Sequence, residues 1–351
     1  MTAAQGADFR SDNVAGIAPE LLAAIGAANA GTASAYGDDE WTQALTARFQ
    51  ALFEKPETVV FPVATGTAAN ALALSSIAGP WGVIFCHEHA HIRSDECGAP
   101  ELFTGGARLA GLPGEGGKIA PDVLVRAIAT AAPHGAHNMQ PAAVSISQST
   151  ESGRVYTRDE VAALAKAAHA AGCRLHMDGA RLANAVAALA IAPADITWRA
   201  GVDILSFGAT KNGAMGAEAV VCFDAATAAG FEYRRKRAGQ LFSKMRFVSA
   251  QLDAYLTDGL WLRNAARANA AGARLAAGIR AVPGAEVLVP VEANEVFARL
   301  PDRVIAGLGE RGFRFHAWDH ALGPGSVRLV TAFNTRDEDI AAFLAAARSL
   351  A

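Results

Sequence analysis

Six short apolar runs alternate with helix-patterned stretches along the first two-thirds of this chain, and that alternation constrains its fold most. The runs are Thr58–Ala64, Gly82–Cys86, Ala142–Ser147, Arg174–Met177, Ile204–Phe207 and Ala219–Phe223. Most are rich in β-branched residues and almost continuously apolar, the pattern of strands covered on both faces. Helical patterns cover Asp39–Phe53, Thr67–Ile77, Pro121–Ala131 and Arg158–Ala171. Pro121 opens its helix where no backbone donor is needed, and Gly172 supplies a C-cap to the last. Such alternation predicts an α/β domain on a mainly parallel sheet.

The pattern changes after about residue 225. Phe231–Arg280 reads as long Ala- and Arg-rich helix, broken near Thr257–Gly259. Strand-like segments follow at Glu286–Val289, Glu295–Leu300, Phe313–His316 and Val327–Thr331, and Asp337–Leu350 is an amphipathic helix. The expected division is a large α/β domain over 1–250, including the N-terminal segment, and a small α+β domain over 251–351. A length of 351 residues suits two such domains.

Hydrophobic residues make up 52% and charged residues 19%, which excludes a disordered chain. Lys plus Arg is 31 against 34 for Asp plus Glu, a net charge of −3. That balance leaves no basic footprint for nucleic acid or an anionic membrane. The longest run without a charged residue or histidine, Thr58–Cys86, is long enough to cross a bilayer. Pro62, Gly66, Asn70, Gly79 and Pro80 break it instead into strand, turn, helix and strand. The N-terminal MTAAQGADFRSD has neither the basic nor the apolar region of a signal peptide. Cys86, Cys97, Cys173 and Cys222 show no CxxC spacing and read as reduced thiols. A soluble cytoplasmic protein is expected.

Residues His87-Glu88-His89-Ala90-His91 match H-E-x-x-H, the zinc hydrolase pattern, with His87 and His91 as ligands and Glu88 as base. That chemistry needs a helix to bring positions i and i+4 to one face. Here the segment follows the strand-like WGVIFC and enters a stretch with Gly98 and Pro100, so it reads as a loop at a strand end. No metal site is assigned. In an open α/β sheet the same edge is where ligands bind.

Three further segments stand at strand ends. Ala64-Thr65-Gly66-Thr67 runs from a strand through a glycine turn into a helix, an arrangement that offers free amides to an anion. It lacks the lysine of a P-loop and the spacing of a dinucleotide fingerprint. His176-Met177-Asp178-Gly179-Ala180-Arg181 puts a carboxylate at a strand terminus with an arginine three residues on. Gly208-Ala209-Thr210-Lys211-Asn212-Gly213 puts a lysine after a buried strand, where it can serve as a Schiff-base nucleophile. Phosphate cradle, carboxylate and lysine in this order are the parts needed to hold pyridoxal phosphate.

The stretches FRSDNVAGIAPE, SAYGDDEWT, ATGTAANALAL, HAHIRSDECGAPELF, LHMDGARLANA, SFGATKNG and SVRLVTAFNT run from residue 9 to about 334. In these the chain resembles the threonine aldolase and β-eliminating lyase family of fold-type I pyridoxal phosphate enzymes, and within it the low-specificity L-threonine aldolases. The resemblance implies a large domain with a mainly parallel seven-stranded sheet and a small C-terminal domain. It implies that Lys211 binds pyridoxal 5′-phosphate covalently, that Asp178 pairs with the ring nitrogen and that Arg181 lies beside the ring hydroxyl. Gly66 and Thr67 match the phosphate turn, and His91 the histidine that stacks on the ring. Ser11, Arg181 and Arg328 would hold the substrate carboxylate, Arg328 in the bidentate manner that fixes orientation. His137 corresponds to a second histidine near the substrate hydroxyl, with His134 as the alternative. Tyr36 and Arg246 resemble residues that reach a neighbouring subunit's cofactor, and Lys236 or Arg237 would supply a further basic contact to the phosphate.

The implied reaction is reversible cleavage of the Cα–Cβ bond of L-threonine, L-allo-threonine and related β-hydroxy-α-amino acids to glycine and an aldehyde. His91, His137 or an ordered water would act as base. A preference for phenylserine-type substrates and β-elimination are the alternatives within this chemistry, and a zinc hydrolase is the alternative outside it. The expected partners are a small amino-acid substrate and copies of the same chain, in a homodimer or homotetramer with sites at the subunit interface.

Overall fold

The computed structural model describes residues 6–351. Its large sheet contains β1 (Val59–Val63), β2 (Gly82–His87), β3 (Arg108–Leu112), β4 (Gln140–Ser147), β5 (Arg174–Gly179), β6 (Ile204–Gly208) and β7 (Glu218–Cys222). Their spatial order is β1-β7-β6-β5-β4-β2-β3. Only β7 runs against its neighbours, pairing antiparallel with both β1 and β6. The mainly parallel α/β sheet expected from the alternating runs is therefore present. Residues of β2, β6 and β7 are buried throughout, which explains their mostly apolar character. Pro62 lies inside β1, and β1 is an edge strand, where a missing amide donor is tolerated.

β3 was not foreseen. Its sequence, RLAGL, is short, contains a glycine and forms the opposite edge, so neither face imposes a full apolar pattern. The helices Pro19–Ala28 and Ala99–Thr104 also lack a clear signal in the sequence. Capping explains several boundaries that the sequence placed well. Asp39 accepts the amide of Thr42 ahead of Glu40–Phe53, and Thr157 forms a reciprocal capping box with Glu160 ahead of Arg158–Ala170.

The stretch read as one long helix with a single break has two. Helices cover Phe231–Arg237, Arg246–Leu256 and Leu260–Ile279. Gly239, at φ 73°, ends the first, and Gln240 turns back to accept the amide of Ala64 at 3.0 Å. Leu260–Ile279 then crosses between two cores. Its Leu260, Trp261 and Ala265 pack with the large sheet, and its Ala271, Leu275 and Ile279 pack with the small one.

The small sheet contains β8 (Glu286–Val287), β9 (Glu295–Arg299), β10 (His316–Ala317) and β11 (Ser326–Val330), in the order β10-β11-β9-β8 and antiparallel throughout. Asp337–Leu350 covers it as the final helix. The N-terminal segment joins this core. Phe9 is buried, exchanges backbone hydrogen bonds with Arg314 and Val330, and meets Phe343 edge-on at 5.4 Å. Among the described residues no helix is long and apolar enough to cross a membrane.

Candidate active site

Parallel strands deliver their C-terminal ends to one edge of the sheet, and a cavity of about 420 Å³ opens there. Asp178 ends β5, Lys211 follows β6, Glu151 follows β4 and His91 follows β2. Because β7 is reversed, its first residue, Glu218, comes to the same edge.

The turn from β1 into the helix Gly66–Ile77 forms one wall. Thr65 caps the helix by accepting the amide of Ala68. The amides of Gly66 and Thr67 have no acceptor, and the space where a side chain at Gly66 would point is open. An anion such as a phosphate fits these donors.

Lys211 lies in the turn Thr210–Asn212, which is clamped on both sides. Ahead of it, the Glu218 carboxyl accepts the amides of Ala209 and Thr210, each at 3.2 Å. Burial pushes Glu218 up to about 7 against those hydrogen bonds and the nearby Lys211 charge. Behind it, Asn212 donates to the Tyr255 hydroxyl at 2.7 Å and to the Trp261 carbonyl at 2.8 Å. Gly213 closes the turn at φ 121°, a conformation that side chains other than glycine rarely adopt.

A hydrogen-bonded chain crosses the cavity floor. Asn70 donates to Asp178 Oδ2 and to Glu96 Oε1, both at 2.8 Å. His91 Nδ1 is 2.9 Å from the same Glu96 oxygen. That hydrogen bond raises the His91 pKa and favours its charged form. Below the floor, His176 lies between the hydroxyls of Ser145 and Ser206, and burial lowers it to about 4, so it is neutral.

Arg181 reaches the cavity from the turn after β5. Its Nε and Nη2 grip Asp12 at 2.7 and 3.0 Å, and Nη1 is 3.6 Å from Glu295. Arg328 Nε and Nη2 converge on the other oxygen of Glu295 at 3.1 and 2.5 Å. Glu295 is thus shared between two arginines, one in the turn after β5 and one in β11.

The structure brings Lys211, Asp178, Arg181, Gly66, Thr67 and His91 to one cavity. It does not bring His137 there. His137 is exposed in the short turn Gly135–His137 before β4, while the cavity lies beyond the far end of that strand, about 25 Å along it at roughly 3.3 Å per residue. His134 shares that position. Ser11 caps the turn Asp12–Val14, next to the cavity residue Asn13. Tyr36 is half-exposed beneath Lys236, Arg237 is exposed over a separate groove behind the helix Gly66–Ile77, and Arg246 lies against Phe247. None of these three lines the cavity of its own chain.

Sequence reasoning missed Glu96, Glu151, Glu218, Asp12 and Glu295. Glu151 had a signal, since it follows an apolar strand as Asp178 and Lys211 do. Asp12 and Glu295 become significant only through partners distant in sequence, and Glu96 and Glu218 through turns whose geometry the sequence does not show.

The H-E-x-x-H residues share no helix. His87 ends β2 with Nε2 2.9 Å from the Gly114 carbonyl, and His91 begins a separate four-residue turn of helix. Among the described residues, no cluster of three His, Cys, Asp or Glu is placed to hold a metal.

The sequence profile of the family described as Beta-eliminating lyase matches residues 8–302. The chain belongs to this family. Low-specificity L-threonine aldolases of Pseudomonas sp. and Pseudomonas aeruginosa are 44% and 43% identical to it, each over 95% of this chain and 94% of the relative. A threonine aldolase structure from Leishmania major superposes with a TM-score of 0.91 at 28% identity, covering 98% of this chain and 99% of that one. An aspartate aminotransferase of Thermus thermophilus, at 18% identity, has a TM-score of 0.70 over 99% and 98% of the two chains and shares the fold. The β-eliminating lyase chain described here is thus of the fold-type I class that its family resemblance implied.

Proposed function

We propose that this chain is a carbon–carbon lyase that cleaves L-threonine, L-allo-threonine and related β-hydroxy-α-amino acids, reversibly, to glycine and an aldehyde, with pyridoxal 5′-phosphate as cofactor. The observation that carries this reading is the meeting of Lys211, Asp178 and the free amides of Gly66 and Thr67 in one cavity. When bound, the cofactor supplies an electron sink for the pair released by the breaking bond. Lys211 anchors it covalently, and Gly66 and Thr67 donate to its phosphate. Asp178 accepts from its ring nitrogen. Asn70 and the Ala180 amide each hold one oxygen of that carboxylate and leave further lone pairs for the role. His91 covers the ring, with its orientation set by Glu96.

Substrate orientation falls to Ser11, Arg181 and Arg328. Arg328 uses Nε and Nη2 on Glu295, and its Nη1 would be the donor to a second carboxylate. Arg328→Ala is expected to weaken glycine binding about tenfold to a hundredfold, the worth of a charge-assisted hydrogen bond. An unchanged affinity for glycine would remove Arg328 from the carboxylate site. Tyr36, Arg246 and Lys236 or Arg237 lie outside the cavity of their own chain, which agrees with a role at a neighbouring subunit's site in a cytoplasmic homodimer or homotetramer.

The absorbance spectrum of the protein loaded with pyridoxal phosphate, before and after glycine is added, tests the reading. A visible band that shifts with glycine is expected. A spectrum indifferent to glycine contradicts it.

A further inference from the structure

Glu151 lines the cavity, and none of the roles above uses it. Its Oε1 is committed, accepting the Ser147 hydroxyl at 2.6 Å and the His91 amide at 2.9 Å. These two bonds hold the carboxyl in one orientation. Its Oε2 is buried and has no hydrogen-bond partner. A buried carboxyl oxygen left unpaired is costly, and such atoms mark places where a group arrives from outside.

The surroundings suit proton exchange. Asp178 stands opposite Ser147 across the β4–β5 register, so a second carboxylate is close to Glu151. Arg181 is the cation whose charge reaches it, and the His91 contact is through the backbone amide. Burial raises the Glu151 pKa, opposed by the Ser147 and His91 hydrogen bonds and reinforced by the Asp178 charge. A carboxyl moved up in this way is better matched to taking and giving a proton near neutral pH. For His91, the competing base, the Glu96 hydrogen bond favours the charged form, in which neither ring nitrogen has a lone pair to give. His137 lies at the opposite end of β4 from the cavity of its own chain.

We propose that Glu151 is the catalytic residue that takes the proton of the substrate β-hydroxyl as the Cα–Cβ bond breaks. This rests on the aldolase reading above. The hydroxyl O–H bond breaks and an Oε2–H bond forms, while the oxygen's electron pair makes the aldehyde C=O. The electron pair of the Cα–Cβ bond stays with Cα, which takes a proton from water to give glycine. Glu151 returns its proton to water as the aldehyde leaves. In the reverse direction the protonated carboxyl donates to the aldehyde oxygen as the bond forms.

Glu151→Gln tests this, because the amide oxygen preserves the contacts to Ser147 and His91 while the second position can no longer accept a proton. Three measurements are made on the loaded parent and variant: threonine cleavage, exchange of the glycine α-proton with deuterated water, and the glycine-induced absorbance change. Glycine has no β-hydroxyl, so its exchange needs Lys211, Asp178 and Arg328 but not this base. The expected result is a fall in kcat for cleavage of about 10²–10⁴-fold, with exchange within about threefold of the parent and the same absorbance change. Cleavage within about tenfold of the parent overturns the proposal. So does a parallel fall in exchange, which would make Glu151 a structural residue. A parent that neither cleaves threonine nor responds to glycine overturns the aldolase reading itself.

Discussion

Lys211→Ala is expected to remove the visible absorbance of the loaded protein and to lower threonine cleavage by about 10⁴-fold or more, the scale on which loss of a covalent catalytic group is felt. The surrounding structure makes this a clean substitution. The turn that carries Lys211 is held by its neighbours. Glu218 accepts the two amides before it, and Asn212 is tied to Tyr255 and Trp261 after it. Removing the side chain therefore leaves the loop in place. Pyridoxal phosphate should still bind through Gly66, Thr67 and Asp178, but more weakly and without its covalent band. Threonine turnover that survived in this variant, without rescue by an added amine, would contradict the assignment of Lys211.

Arg181→Ala is expected to be the most destabilising change in the cavity. Arg181 is 8% exposed and forms a two-point contact with Asp12, which is 2% exposed. Burial opposes ionisation of Asp12. The charges of Arg181 and Lys211, with hydrogen bonds from Arg181 and Asn294, outweigh it and hold the carboxyl below its ordinary range. Deleting the guanidinium leaves Asp12 and Glu295 buried without it. Breaking a buried pair in this way costs about 3–5 kcal/mol, which for a chain of 351 residues corresponds to a melting midpoint lower by about 4–7 °C. The loss depends on pH with a definite sign. In the parent, the depressed Asp12 contributes stability above its unfolded pKa of about 3.9, and this is lost as pH falls through the lower folded value. In the variant burial prevails, the folded pKa rises and the ionised carboxylate is a penalty. The gap between the two proteins should narrow as pH is lowered from 7 toward about 4. A midpoint within about 2 °C of the parent at pH 7, or a gap that widens on acidification, would refute this account of the pair.

Most of the large sheet was legible because its strands are buried on both faces, so apolar runs mark them directly. β3 was not, since an edge strand with a glycine has little to bury. The second break in Phe231–Ile279 was hidden because it depends on a tertiary contact, the return of Gln240 to the Ala64 amide. The candidate site divides in the same way. Gly66, Asp178 and Lys211 stand out because each follows an apolar strand and shares its edge with the others. His137 came from the family resemblance, which matches a residue type and does not say at which end of β4 it lies. Glu151, at the cavity end of β4, shares the strand-end position of Asp178 and Lys211 but has no flanking motif to single it out. Asp12 and Glu295 lie far along the chain from Arg181, and only the packing of the two sheets makes them its partners.

The most direct test of the central claim is the product balance from L-threonine with the protein and pyridoxal phosphate. Glycine and acetaldehyde formed in equal amounts, with threonine lost to match, is the predicted result. Ammonia and a 2-keto acid in their place would contradict it, because the bonds broken would then be Cα–H and the Cβ–O bond to the hydroxyl, and not Cα–Cβ.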